Sequence, residues 1–234
     1  MPNHDSIYRH EADMYHELIA KQPDLRSVVE ELAPVAGADI VDLGAGTGRL
    51  SAALAPGARS LVALDASEAM LRIAADRLRQ AGLDNWSVRV ADHRRLPLPD
   101  ASADLVVSGW SVCYLTADSV PDWEANLARI VAEMKRVLRP GGTIVLFETM
   151  GTGHETPSPP GFLLPYFTRL TNEYRFSHRW LRLDYAFDDA AQAERLTRFF
   201  FGDELADWVA RDRLVRLPEC AGVWRLRPNQ IDHA

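Results

Sequence analysis

The chain predicts a doubly wound α/β fold, Rossmann-like, in a single domain, and three observations carry that prediction. Between residues 36 and 148, five short apolar, β-branched runs alternate with helical stretches. This is the rhythm of a parallel sheet covered by helices on both faces. Secondly, Ile40-Val41-Asp42-Leu43-Gly44-Ala45-Gly46-Thr47-Gly48-Arg49-Leu50 passes from a buried strand through three glycines into the helical Leu50-Ser51-Ala52-Ala53-Leu54-Ala55. Strand, glycine turn and helix start together make a cradle in which a ligand can approach bare backbone. Thirdly, the next two apolar runs each close on an acid, Asp65 and Asp92, at the strand ends where such folds bind ligands.

Bulk properties narrow the function. At 234 residues the chain holds one well-cored domain with room for a lid. Its 47% hydrophobic and 25% charged residues are ordinary for a soluble globular protein. A net charge of −7 weighs against a nucleic-acid partner held by its phosphates. Cys113 and Cys220 offer neither a disulfide framework nor metal-ligand spacing, so no metal and a reducing, cytoplasmic setting are expected. Met1-Pro2-Asn3-His4-Asp5-Ser6 lacks a signal pattern. No apolar run approaches the ~20 residues that span a bilayer, so no membrane is expected.

The elements follow in order. Residues 5–33 read as helical, with Tyr8, Ala12 and Tyr15 near one face, a restart at Pro23-Asp24-Leu25 and a stop at Pro34. The two tyrosines either pack this segment on the domain or close over a ligand. After the glycine loop, Arg59–Asp65 is the second strand. Asp65 lies about 20 residues beyond the loop, where a carboxylate takes ribose hydroxyls. The alternative is a cap on the helix from Ser67 to Ala81, a job Ser67 itself can do before Gly82 ends that helix. Trp86–Asp92 is the third strand and Ala103–Trp110 the fourth, which places Ser108, Gly109 and Trp110 where strand order reverses. Cys113 reads as a buried thiol. Trp123, Leu127, Ile130, Val131, Met134 and Leu138 form a helical stripe for the core. Arg139-Pro140-Gly141-Gly142 turns into the fifth strand, Thr143–Glu148.

Residues 149–178 break the rhythm with Gly, Pro and aromatic residues, as a substrate-covering insertion does; His154, Tyr166 and His178 are its polar candidates. Arg179–Phe187 then reads as a sixth strand. Asp188 is expected to cap a helix through Phe200, and a further helix follows Asp203. An extended closing strand, bent at Pro218–Ala221, is expected from Arg213 to Leu226. One domain over 1–234 is thus divided into a helical lid (1–35), a core (36–148), the insertion (149–178) and a closing part (179–228).

The loop departs from the dinucleotide fingerprint Gly-x-Gly-x-x-Gly, because Arg49 stands where the third glycine belongs. An acid before Gly-x-Gly-x-Gly, here Asp42, resembles instead the S-adenosylmethionine (SAM) loop of class I methyltransferases. Leu138-Arg139-Pro140-Gly141-Gly142-Thr143-Ile144-Val145-Leu146 is similar to the post-helix turn of the same family, and Tyr8-x-x-x-Ala12-x-x-Tyr15 resembles the N-terminal lid of its small-molecule, UbiE-like members. The resemblance covers residues 40–148 motif by motif and the rest only in outline, with a seven-stranded sheet whose last strand is antiparallel. It implies SAM as cofactor and S-adenosylhomocysteine as product. It implies cofactor contacts from Tyr8, Tyr15, Asp42, Gly44, Ala45, Gly46, Gly48, Asp65, Ala66, Met70, Ala91, Asp92, His93, Ser108, Gly109 and Trp110. His93 can equally be a plain loop histidine. Ser108-Gly109-Trp110-Ser111 differs from the Asn/Asp-Pro-Pro-Tyr run of enzymes that methylate nucleobases.

The implied activity is direct methyl transfer to an N, O, C or S atom of a small molecule. Such transfer needs alignment and exclusion of water more than acid–base chemistry. The faces of Tyr8, Tyr15 and Trp110 suit a sulfonium charge. Glu148, His154 and His178 are the candidates to accept a proton. An NAD(P)-dependent oxidoreductase and a non-catalytic SAM-binding protein remain the alternatives.

Overall fold

The computed structural model describes residues 4–228; the outermost residues of the domain expected over 1–234 lie outside that range. Three helices come first: α1 (His4–His10), α2 (Ala12–Ile19) and α3 (Arg26–Leu32). Pro23-Asp24-Leu25 stays outside α3, because the Asp24 carboxylate takes the Arg26 N–H in a turn of its own. Strands and helices then alternate through β1 (Asp39–Leu43), α4 (Arg49–Leu54), β2 (Ser60–Asp65), α5 (Glu68–Gln80), β3 (Trp86–Val90), β4 (Ala103–Gly109), α6 (Cys113–Thr116), α7 (Trp123–Val137) and β5 (Leu138–Thr152). A single 3-10 turn at Gly161–Leu163 leads into α8 (Leu164–Asn172), β6 (Ser177–Arg182), β7 (Tyr185–Ala186), α9 (Ala190–Phe201), α10 (Asp203–Arg211), β8 (Arg216–Leu217) and β9 (Glu219–Leu226).

Seven strands form one sheet in the order β3-β2-β1-β4-β5-β9-β6. Pairing is parallel from β3 across to β5, and β9 runs antiparallel to both its neighbours. This is the doubly wound, mostly parallel sheet with an antiparallel last strand that the sequence predicts. Side chains alternate between its two faces. Val41 and Val106 face Leu127, Ile130 and Met134 of α7, while Ile40 and Leu105 face Val29 of α3, Leu54 of α4 and Leu78 of α5. Truncating one of the buried Leu, Ile or Met residues among these to alanine costs about 2–5 kcal/mol.

Three expectations are corrected. The strand expected over Arg179–Phe187 breaks after Arg182. Asp184 there accepts from Arg182 at 2.9 Å and from the Glu219 N–H at 3.1 Å, and Tyr185–Ala186 leaves the main sheet to pair with Arg216–Leu217. The closing strand expected from Arg213 to Leu226 is two strands, parted at Pro218, which has no N–H to give a ladder. Asp189, not Asp188, caps α9 by taking the Gln192 N–H at 2.8 Å, and Asp188 pairs with Lys21 at 2.7 Å.

β5 carries a bulge where its register against β9 shifts between Thr149 and Thr152. Bulges re-aim side chains at sheet ends. Only a glycine suits position 151, because an added Cβ would come within 2.8 Å of the Ser158 carbonyl.

Candidate active site

The glycine loop hangs from the end of β2, where the N–H groups of Gly44 and Ala45 both donate to Leu64 O, at 2.7 and 2.9 Å. Its glycines do different jobs. A Cβ at Gly48 would come within 3.0 Å of Ala74, so this position packs α4 on α5. A Cβ at Gly44 would fall on the Ser111 side chain. At Gly46 the nearest atom to an added Cβ is Tyr15 Cε1 at 3.9 Å, so this residue alone among the three borders open space.

Two acids support the loop. Asp42 is buried and accepts the Ser51 hydroxyl at 2.6 Å, while its other oxygen has no partner among the described residues. Burial pushes its pKa up to about 7. Asp65 accepts the Gly46 N–H and the Ser67 N–H, each at 2.8 Å, one on each oxygen. Burial raises its pKa against those bonds. Ser67, not Asp65, caps α5, taking the Met70 N–H at 3.3 Å, and its hydroxyl donates to Tyr8 O at 3.0 Å.

Beside the loop, at the carboxyl ends of β1, β4 and β5, lies a cavity of about 570 Å³. That is within the range of small-molecule sites, about 300–1,000 Å³. Gly44–Thr47, Arg49, Gly109 and Trp110 form its floor. Tyr8, Tyr15, Tyr114 and Phe200 form its roof, packed edge to face with Tyr8 5.2 Å from Tyr15 and 5.7 Å from Tyr114. The Tyr8 and Tyr114 hydroxyls are 2.5 Å apart. Burial pushes the Tyr15 phenol up to about 12, so the ring stays neutral. Thr149, Gly151, Thr152, His154, Tyr185 and Glu219 form the far wall. A second depression of about 720 Å³, between Lys135, Tyr174 and Arg175, holds none of the residues the sequence singles out.

Of the residues singled out from sequence, Tyr8, Tyr15, Asp42, Gly44, Ala45, Gly46, Gly109, Trp110 and His154 line the cavity. Met70, Ala91 and Ser108 are buried, and Ala66 is exposed. Asp92 is exposed and clasped by Arg94 at 2.6 Å, which holds its pKa down to about 2. His93 is buried against Ser111 Oγ at 2.7 Å, and burial lowers its pKa to about 4, so it is neutral. Glu148 does not reach the cavity wall; Oε1 accepts the Cys113 N–H at 3.1 Å and the Tyr166 hydroxyl at 3.2 Å. Burial raises it to about 7. Tyr166 is fully buried, with Phe167 and Leu170, in the sheet's core. His178 lies away from the cavity on β6, stacked on Trp224 at 4.3 Å.

Arg49, Tyr114, Phe200, Tyr185 and Glu219 line the cavity without having been singled out. Arg49 lies over the Trp110 ring at 4.6 Å, so the protein's own guanidinium already uses that cation-binding surface. The Phe199-Phe200-Phe201 run closing a helix and the lone acid opening an apolar strand at Glu219 were the available signals. Among the described residues no group of His, Cys, Asp and Glu is arranged to hold a metal ion, and no helix is long and apolar enough to cross a membrane.

Residues 41–146 match a family described as a methyltransferase domain. A demethylmenaquinone methyltransferase of Clavibacter sepedonicus is 40% identical over 117 residues, 50% of this chain and 43% of that protein. A malonyl-[acyl-carrier protein] O-methyltransferase of Methylococcus capsulatus is 40% identical over 117 residues, 49% of this chain and 38% of that protein. The chain therefore spans less than half the length of these two curated relatives. In fold it is similar to YcgJ of Bacillus subtilis (TM-score 0.57, 16% identity, 86% of this chain and 96% of the other). It is also similar to the [4+2]-cyclase SpnF (TM-score 0.54, 20% identity, 87% and 80%). A cyclase on this fold means that the fold by itself does not name the reaction.

Proposed function

We propose that this chain, whose residues 41–146 match a methyltransferase domain, transfers the methyl group of SAM to a small-molecule acceptor. The observation that carries the reading is the opening of the loop at Gly46 into a ligand-sized cavity at the point where strand order reverses. The residues present fit the cofactor: of the three loop glycines only Gly46, on the cavity wall, has free space above its backbone, and a carboxylate holds that peptide from behind.

SAM supplies a methyl group made electrophilic by its sulfonium. The chain's own residues bind, orient and keep water out. Gly44, Ala45 and Gly46 cradle the cofactor, with Gly48 and Asp42 shaping the loop. Asp65, which holds the Gly46 peptide from behind the cavity wall, is assigned to the ribose hydroxyls by its place at the end of β2. Ala66, Met70, Ala91, Asp92 and His93 are assigned to the adenine side, and Ser108, Gly109 and Trp110 to the floor beneath the methionine part. His93 supports this placement, since its Nε2 lies 3.0 Å from the Cβ position of Gly44. Tyr8 and Tyr15 offer neutral ring faces to the sulfonium. Residues 4–35 and the first part of 149–178 act as the cover, and of Glu148, His154 and His178 only His154 lines the cavity.

Calorimetry with SAM, S-adenosylhomocysteine and NAD tests the cofactor. Binding of the first two with none of NAD is expected, and the reverse would replace the reading with an oxidoreductase. A metabolite extract incubated with the chain and methyl-labelled SAM should then yield a labelled product; SAM binding with no product would favour a non-catalytic SAM-binding protein.

A further inference from the structure

The far wall of the cavity holds one carboxylate that the reading above does not use. We propose that Glu219 is the positioning residue for the acceptor, its carboxylate taking a hydrogen bond from the hydroxyl or amine of a compact, uncharged aromatic molecule. The proposal rests on the cavity being the site of methyl transfer.

Glu219 opens β9 and is 2% exposed. The Thr149 hydroxyl donates to Oε1 at 3.0 Å, while Oε2 is buried with no hydrogen-bond partner among the described residues. An unpaired oxygen in a dry site is a standing cost, removed by any ligand that brings a donor. The backbone of Glu219 is fixed on both sides: its N–H donates to Asp184 Oδ1 at 3.1 Å and its carbonyl accepts the Leu183 N–H at 2.8 Å. The bulge in β5 brings Thr152 opposite it. The carboxylate therefore sits at a defined point on the far wall, across the cavity from the loop acid Asp42.

Phe200, Phe201, Tyr185 and Tyr15 line the same cavity, and such flat apolar faces suit a planar ring. Arg49 beside them repels a cationic acceptor. Glu148 is an internal contrast, equally buried and also with an unpaired oxygen, yet off the cavity wall.

The groups facing Glu219 are Arg49 on α4, Tyr185 on β7, Asp184 before β7 and Cys220 beside it. Burial raises its pKa to about 7, with the Thr152 and Thr149 side chains and Arg49 pulling the other way. A donor prefers the carboxylate, so affinity for such a ligand should rise with pH through about 7.

The probes are 4-methylphenol, 4-methylaniline and 4-methylanisole, which share a ring but differ in carrying a donor. Their affinities are measured by ligand-observed NMR on the full chain, with and without S-adenosylhomocysteine, on both sides of neutral pH. The phenol and the aniline should bind about tenfold tighter than the anisole above neutrality, and this preference should shrink below it. Glu219→Gln should abolish the preference and its pH dependence while leaving S-adenosylhomocysteine affinity unchanged; Glu148→Gln should keep both. The pH dependence in the parent chain needs no variant, so the proposal stays testable if Glu219→Gln folds poorly. Equal binding of the three probes, binding of none at millimolar concentration, or a preference that survives Glu219→Gln overturns it. Failure of S-adenosylhomocysteine to bind the parent chain is a separate result that sinks the cofactor reading instead.

Discussion

Gly46→Ala tests the cofactor cradle with the smallest possible change. Residue 46 has φ of +53°, in the left-handed region, where an added side chain costs roughly 1–2 kcal/mol. No steric cost accompanies it in the free protein, since Tyr15 Cε1 at 3.9 Å is an ordinary contact. In a chain of this size each 1 kcal/mol moves Tm by about 2–4 °C, so the variant should melt about 2–8 °C below the parent. The new methyl group points into the cavity, where the cofactor backbone must come close. Overpacking of that kind costs about 1–3 kcal/mol, or a loss of affinity of about five- to 150-fold.

Gly48→Ala is the matched control. Its φ of +79° brings similar strain, but its Cβ would also lie 3.0 Å from Ala74 Cβ and 3.1 Å from Ala74 Cα. Backbone cannot swing away, so α4 and α5 must part, and the total cost becomes about 2–5 kcal/mol. The two substitutions should therefore separate. One mainly weakens S-adenosylhomocysteine binding in calorimetry, and the other mainly lowers Tm in scanning calorimetry. Unchanged affinity in Gly46→Ala, or a Tm loss as large as that of Gly48→Ala, would refute the placement of the ligand over Gly46.

Other outcomes follow from the same geometry. Asp65→Ala should weaken S-adenosylhomocysteine by about 1.5–3 kcal/mol in calorimetry, the range for bonds to a charged group, while an unchanged Kd would leave Asp65 as a brace for the loop alone. Amide exchange in residues 5–20 and 149–163 should slow when S-adenosylhomocysteine binds, and Tyr15→Ala should reduce that protection whereas Tyr15→Phe should keep it; rates indifferent to ligand would make the roof a packing layer. Burial raises Asp42 and Glu148 to about 7, so the fold favours their protonated forms. The stability they add is complete below the ordinary carboxylate pKa and is lost as pH rises through about 7. Tm of the free chain should thus fall between about pH 7 and 8 and level off above it, a window in which His93, lowered to about 4, is neutral when folded and largely neutral when unfolded. Glu148→Gln should flatten the slope, and a Tm that climbs over that window would contradict the assignment.

The sheet was legible because parallel strands buried on both faces read as unbroken apolar runs, as in Leu105-Val106-Val107 and Ile144-Val145-Leu146-Phe147. Ser67 and Gly82 punctuated α5 through local chemistry that involves only near neighbours. The later strands were not legible in the same way. Asp184 breaks the run from Arg179 only because Arg216 and the Glu219 N–H come to it from more than 30 positions away, a partnership no local pattern records. The three glycines of the loop look alike in sequence, and only the neighbours brought by α5 and by the turn between β4 and α6 distinguish packing at 44 and 48 from open space at 46.

The same contrast divides the candidate site. Most of its floor comes from one contiguous stretch, residues 42–50, whose motif must serve a cofactor of fixed shape and is therefore readable, and Gly109 and Trp110 complete it. Its roof and far wall come from α1, α2, the end of β5, α6, α9, β7 and β9, remote segments that meet only in the folded chain. Ser67 joins the two parts: its side chain caps α5 behind the cradle and donates to Tyr8 O in the roof. Asp65 joins them again, since the carboxylate that fixes the Gly46 peptide also fixes the Ser67 N–H. A ligand that draws on Asp65 thus acts on the residue that ties down α1. That gives a physical route by which filling the cradle can settle the aromatic roof over the acceptor wall, without any element of the sheet having to move.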